Sequence, residues 1–216
     1  MEDVLDVYER PYDPRFPVIY MDEASTQLIG EVRKPLPPKP GQLLRIDSEY
    51  ERLGTCNLFM FCEPLGGWRN VRVTQRRTKA DWAYALQDQI IEHDSQAQKL
   101  ILLTDHLNTH SPSCFYEVFG PSTAHWLTER LEIHYSPKHG RRLNIAKCEL
   151  SVLGRQCLNR RIDDALELGQ EANAWQYERD RIAKKINWQF RTCDARQNFR
   201  TPEPAGNAVG PYSHLG

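Results

Sequence analysis

Asp22 and Asp105 each stand where an apolar run turns polar: Asp22 after "VIYM", Asp105 after "LILLT". Two carboxylates brought close together repel unless a proton or a cation intervenes. A hard divalent ion such as Mg2+ binds through one or two protein carboxylates plus phosphate oxygens. Two such ions ~4 Å apart activate a nucleophile and stabilise a leaving oxygen in phosphoryl transfer. Without a shared site, the same residues are ordinary loop or cap acids. His106, Asn108 and His110 follow Asp105 closely. Histidines at i and i+4 bind zinc on a helix, but this pair follows a strand, which favours a role in orienting the loop.

The two acids meet only if the elements carrying them are neighbours. "KLILLTD" has the pattern of a strand buried on both faces of a sheet with parallel partners. "VIYMDEAS" predicts a short strand ending at Asp22, and "CNLFMFCEPLGGWRNVRVTQ" predicts two strands joined around Gly66 and Gly67. "TKADWAYALQDQIIEH" predicts a helix capped by Thr78, with Asp81 in its first turn. "SPSCFYEVFG" is a short helix opened by Pro and closed by Gly, and "LEIHYSP" is a further strand. A helix is expected from Leu143 to about Leu158, with Leu143, Ala146, Leu150, Leu153 and Cys157 as its apolar stripe. A longer one is expected over 161–186, with Ile162, Ala165, Leu166, Ala172, Trp175 and Ile182 inward. This order predicts a mixed α/β fold. If the two Asp-bearing strands run parallel side by side, both carboxylates emerge at one sheet edge, where open α/β sheets collect ligands.

The chain of 216 residues, 40% hydrophobic and 26% charged, is long enough for one domain with a sizeable core. No apolar stretch approaches the ~20 residues that span a bilayer. The acidic start "MEDVLDVYER" lacks a signal core, so a cytoplasmic protein with no membrane partner is expected. The six cysteines form no C-x-x-C pair, and Cys56 and Cys62 are expected to pack as small apolar residues. Residues 1–64 carry twelve acids against seven Lys or Arg, whereas 130–200 carry nine against fifteen. That asymmetry fits either a polyanion-facing surface or a solvated helical face. Lys138, His139, Arg141 and Arg142 sit just before the 143–158 helix. They either neutralise nucleic-acid phosphates or form a solvated loop. Five tryptophans read as core or subunit-contact residues. Residues 1–16 read as a lead-in stopped by prolines, and 201–216, rich in Pro and Gly, as a disordered tail.

Several stretches carry a family pattern in order: "DEAS", "ERLGTCNLFMF", "GWRNVRVTQRRTKADWA", "LTDHLNTHSP", "HYSPKHGRRLNIAKCELSVLGRQCLNRRI" and "INWQFRTCDAR". Over about residues 1–200 the chain resembles DDE transposases of the Tc-one/mariner superfamily, in particular the bacterial insertion-sequence branch numbered six-thirty. The resemblance implies a ribonuclease-H-like α/β domain over 17–200, a central mixed sheet flanked by helices. It also implies a Mg2+- or Mn2+-dependent activity that cuts transposon ends and joins the exposed 3′ hydroxyl to target DNA. Asp22 then matches the first catalytic acid and Asp105 the second, both as metal ligands. Asn108, His110 and Asn144 match orienting residues, while His106 stands where Asn is usual. Lys138, His139, Arg141 and Arg142 become candidate DNA contacts. A second copy or a full-length transposase becomes a candidate protein partner.

The match breaks at one position. The family's third acid lies three residues after the Asn of the "LN" pair, which here gives Lys147. Glu149 is two residues on, roughly 200° around the helix, and cannot replace that acid unless the helix shifts. At ~5 Å and an effective dielectric of ~20, a unit-charge interaction is worth about 3 kcal/mol. An ammonium in place of a carboxylate therefore turns attraction for a cation into repulsion, and the expectation is weak metal binding with little strand transfer. The resemblance also leads one to expect an N-terminal helix-turn-helix region; its lack here suggests a fragment, a domain-only product or part of a split frame. The rival readings are an inactive remnant that binds DNA or a full-length transposase, and a divalent-metal hydrolase of small phosphate esters.

Overall fold

The computed structural model describes residues 2–43, 45, 47–107, 109–137, 144–186 and 188. Five strands form one sheet: β1 (Val18–Glu31), β2 (Tyr50–Glu63), β3 (Trp68–Thr74), β4 (Leu100–Asp105) and β5 (Leu131–Ser136), in the order β3-β2-β1-β4-β5. The β1-β2 and β2-β3 pairs are antiparallel, and the β1-β4 and β4-β5 pairs are parallel. The mixed α/β expectation therefore holds.

Side chains alternate across the sheet because a strand has a period of two. Tyr20, Leu58, Met60, Ile101 and Leu103 face one way, against α1 (Glu2–Tyr8), α5 (Ile145–Gln156) and α6 (Ala165–Arg181). Ile19, Met21, Phe59, Phe61, Leu100 and Leu102 face the other, against α2 (Lys79–Asp88), α3 (Ser113–Val118) and α4 (Pro121–Glu129). Two cores thus sandwich the sheet. Cys56 and Cys62 are buried and free, as small apolar packing residues. The lead-in adds α1 to the core through Val4, Leu5 and Val7. No helix among the described residues is long and apolar enough to cross a membrane.

The Thr78 capping box forms as read, with Thr78 and Asp81 exchanging hydrogen bonds, and α2 runs on into a π-helical turn, Gln89–His93. Three elements differ from expectation. Strand β1 does not end at Asp22; it continues to Glu31 because β2 pairs with it almost residue for residue. That ladder outweighs the polar composition of "EASTQ". Helix α6 starts at Ala165, where Asp164 caps it by accepting the Glu167 N–H at 2.8 Å. Ile162 is buried in the loop before it, Leu166 and Ile182 are 72% and 59% exposed, and Leu168 takes the core position. The stretch 121–129, for which no element was read from the sequence, folds as α4 with Pro121 opening it. The tail expected over 201–216 lies outside the described residues.

Two contacts fix α6 to the outer strand. Asp180 Oδ1 accepts the Arg69 N–H and Gln176 Oε1 accepts the Val71 N–H, both at 2.8 Å. Arg69 itself is fully buried and donates to Glu149 of α5 at 2.8 Å and to Gly67 O at 3.1 Å. Gly67 adopts φ +81°, and a Cβ there would meet Ala183 O at 2.7 Å, so only glycine suits the β2-β3 turn.

Candidate active site

Strands β1 and β4 pair in parallel only as far as Tyr20 and Leu103. Asp22 and Asp105 each lie two residues beyond that last pair, so the two acids emerge at equivalent positions where the strands part. Both line an open cleft of about 510 Å³ together with Glu23, Arg77, His106, Asn144 and Lys147.

Asp22 is buried and its Oδ1 accepts the Glu23 N–H at 2.8 Å. Burial pushes its carboxyl above the usual range. That hydrogen bond and the Lys147 ammonium pull the other way, and the charges of Asp105 and Glu23 add to the rise. The two acids and the lysine therefore share one electrostatic environment.

Asp105 ends β4 with Oδ1 2.8 Å from His110 Nδ1. His110 is buried, stacks on Trp82 with 5.5 Å between ring centroids, and accepts at its carbonyl from the Tyr135 hydroxyl at 2.8 Å. Its Nε2 lies 3.7 Å from Glu23 Oε2. Burial alone would depress the imidazole pKa, but the contacts with Asp105 and Glu23 outweigh it and raise it to about 9. The two ring nitrogens of His110 thus face the carboxylates of Asp105 and Glu23, which favour the charged imidazole. His106 stands edge-on to Tyr135 at 4.8 Å, on the cleft wall.

Asn144 connects the third segment to β1. Its Oδ1 caps α5 by accepting the Ala146 N–H at 3.0 Å, and its Nδ2 donates to Met21 O at 3.1 Å, one residue before Asp22. The first turn of α5 is thereby set against the cleft, and Lys147 in that turn lines it. Helix α5 buries Ile145, Ala146, Glu149 and Leu153. Glu149 therefore points into the core, toward Arg69 at 2.8 Å and Arg179 at 3.4 Å, and takes no part in the cleft. Asn108, Lys138, His139, Arg141, Arg142 and Leu143 lie outside the described residues.

Glu23 and Arg77 were not singled out from sequence. Arg77 Nη1 is 3.4 Å from Glu23 Oε1, so Glu23 sits between Arg77 and His110. Adjacency to Asp22 was the only signal for Glu23, and Arg77 had none beyond its basic neighbours.

Asp22 and Asp105 bring two carboxylates to the cleft, Asp22 with one oxygen taken by the Glu23 N–H and Asp105 with one lying beside the His110 ring, and Lys147 adds an ammonium. With Glu23 held between Arg77 and His110, two carboxylates and an ammonium remain, a set that suits one hard cation and not a pair.

A family model described as DDE superfamily endonuclease matches residues 17–169. Among solved structures, the fold is similar to that in the Mos1 mariner paired end complex with Mn, with a TM-score of 0.56 at 16% identity, covering 85% of this chain and 54% of that one. It is also similar to the Mos1 transposase paired-end complex with left transposon end, with a TM-score of 0.56 at 14% identity, covering 82% and 52%. The Mos1 strand transfer complex gives 0.53 at 14% identity, covering 85% and 53%. What is shared is the ribonuclease-H-like fold. The chain spans about half the length of those chains. No curated protein sequence matches it.

Proposed function

The chain belongs to the DDE superfamily endonuclease family, and we propose that it is the catalytic domain of a DNA transposase whose cutting and joining chemistry is impaired at Lys147. On this reading it is similar to the Tc-one/mariner transposases, in particular those of the insertion-sequence six-thirty branch. One observation carries the proposal: Asp22 and Asp105 lie equally far beyond the last β1-β4 pair, and Lys147 lines the same cleft.

Asp22 and Asp105 are the groups that would hold Mg2+ or Mn2+, which when bound would supply charge for activating a nucleophile on DNA. His110 fixes the Asp105 carboxylate, and Asn144 fixes the helix that brings Lys147 alongside. The Lys147 ammonium opposes a cation there and attracts a DNA phosphate instead. Arg77, with the basic run Lys138, His139, Arg141 and Arg142, would add salt-sensitive backbone contacts. The partners on this reading are transposon-end and target DNA, with a second copy or a full-length transposase alongside, in the cytoplasm. The cation at the third-acid position also favours a second reading, a remnant that holds DNA without cutting it.

Mn2+-dependent nicking of transposon-end DNA by the unaltered chain and by Lys147→Glu tests the proposal. We expect DNA binding by both and nicking gained only by the variant. Strong nicking by the unaltered chain overturns the impairment, and failure of both proteins to bind or nick DNA overturns the transposase reading.

A further inference from the structure

Glu23 lines the cleft but stands apart from the set that Asp22, Asp105 and Lys147 bring to it. Successive side chains of a strand point to opposite faces. Asp22 follows Tyr20 on the face covered by α5, whereas Glu23 follows Met21 on the face covered by α2. There its side chain is 5% exposed and has two charged neighbours, the Arg77 guanidinium at 3.4 Å and the His110 ring at 3.7 Å.

His110 joins Glu23 to Asp105. Its side chain is fully buried and its ring stacks on Trp82. On one edge, Nδ1 lies 2.8 Å from Asp105 Oδ1 and 3.2 Å from Thr104 Oγ1. On the other edge, Nε2 is buried with no hydrogen-bond partner, and Glu23 Oε2 is the carboxylate oxygen that faces it. Stacking fixes the plane of a ring but not its rotation within that plane, which the groups at its edges decide. Asp105 depends on such a hold, because its side chain is 36% exposed and a carboxylate ligand is oriented by the groups around it.

We propose that Glu23 is a positioning residue: by facing Nε2 it holds the His110 ring, and the ring holds the Asp105 carboxylate in the orientation that would receive a cation. The inference rests on the cation chemistry proposed for the cleft.

Calorimetric titration of the full chain with Mn2+ tests it in the Lys147→Glu background, where affinity is expected to be highest. Glu23→Gln should weaken binding by about tenfold or more. That substitution also removes a negative charge from the cleft, and a double-mutant cycle with His110→Gln separates the two effects. With His110 replaced, Glu23→Gln should change Mn2+ affinity little; an equal loss with and without His110 overturns the proposal. The Trp82 indole N–H resonance, assigned by its loss in Trp82→Phe, reads the stacked ring without any metal. It should shift in Glu23→Gln, and an unmoved resonance overturns the proposal. Absence of Mn2+ binding in every variant overturns the cation reading of the cleft instead, and the resonance then decides whether Glu23 holds His110.

Discussion

Glu149 of α5 and Arg69 of β3 form an ion pair inside the protein, with 2.8 Å between Oε2 and Nε and almost no solvent at either side chain. The pair joins the helix that carries Lys147 to the outer strand of the sheet. Arg179 of α6 reaches the same carboxylate at 3.4 Å while lying 5.0 Å over the Trp175 ring, so all three elements converge there.

Removing one member of that pair leaves the other charge buried. Glu149→Gln or Arg69→Met should each cost about 3–5 kcal/mol of stability in urea unfolding. The double replacement with apolar residues should cost less than the sum, since the fully buried charges go together and only the partly exposed Arg179 loses a partner. A loss below ~1 kcal/mol for Arg69→Met would show that the pair contributes little.

Metal affinity at the cleft should follow the charge at position 147. Calorimetric titration with Mn2+ should give the weakest binding in the unaltered chain, stronger binding in Lys147→Gln and the strongest in Lys147→Glu. Each unit of charge at ~5 Å contributes up to about 3 kcal/mol. Equal affinities in all three proteins would place Lys147 too far from Asp22 and Asp105 to matter.

Removal of the Asn144 side chain should loosen the start of α5. Asn144→Ala loses the cap on Ala146 and leaves the Met21 carbonyl without its donor. About 1–2 kcal/mol of stability should be lost, measured by thermal or urea unfolding. Asn144→Asp keeps the cap but not the donor, and should recover only part of that loss.

Stability should depend on pH through Glu63. Its carboxyl is raised from 4.5 to about 7 in the folded protein, with Asp94 adding to the effect of burial and Trp68 opposing it. Its contribution is therefore fully present below pH 4.5 and is lost as pH rises through 7, by about 3 kcal/mol in all. Tyr12, whose own hydroxyl is raised mainly by Glu63, faces the same carboxylate but titrates far above this window. Glu63→Gln should flatten the stability profile between pH 4.5 and 7, read from unfolding midpoints at each pH.

How far the sequence foretold the architecture depended on whether the signal was local. The run "LILLTD" sets its own strand, because five consecutive buried residues suit only a doubly covered position. Thr78 and Asp81, three residues apart, write a helix start directly. The length of β1 was not legible, because its polar half is held by pairing with β2 rather than by its own apolar pattern. Glu149 was legible as turned away from Lys147, but its partner Arg69 is 80 positions off and no local pattern announces it. The arrangement of Glu23 between Arg77 and His110 likewise joins three separate segments. Leu166 and Ile182 misled because apolar spacing on a helix does not say which face meets the sheet.

The outer edge of β3 has a further consequence. Asp180 and Gln176 occupy the N–H groups that a border strand would otherwise offer to a stranger's backbone. Helix α6 is thus a guard against polymerisation as well as a packing layer. A shortened version lacking it would present a bare template, and its foreseeable fate is fibrillar self-association rather than a smaller, well-behaved fold.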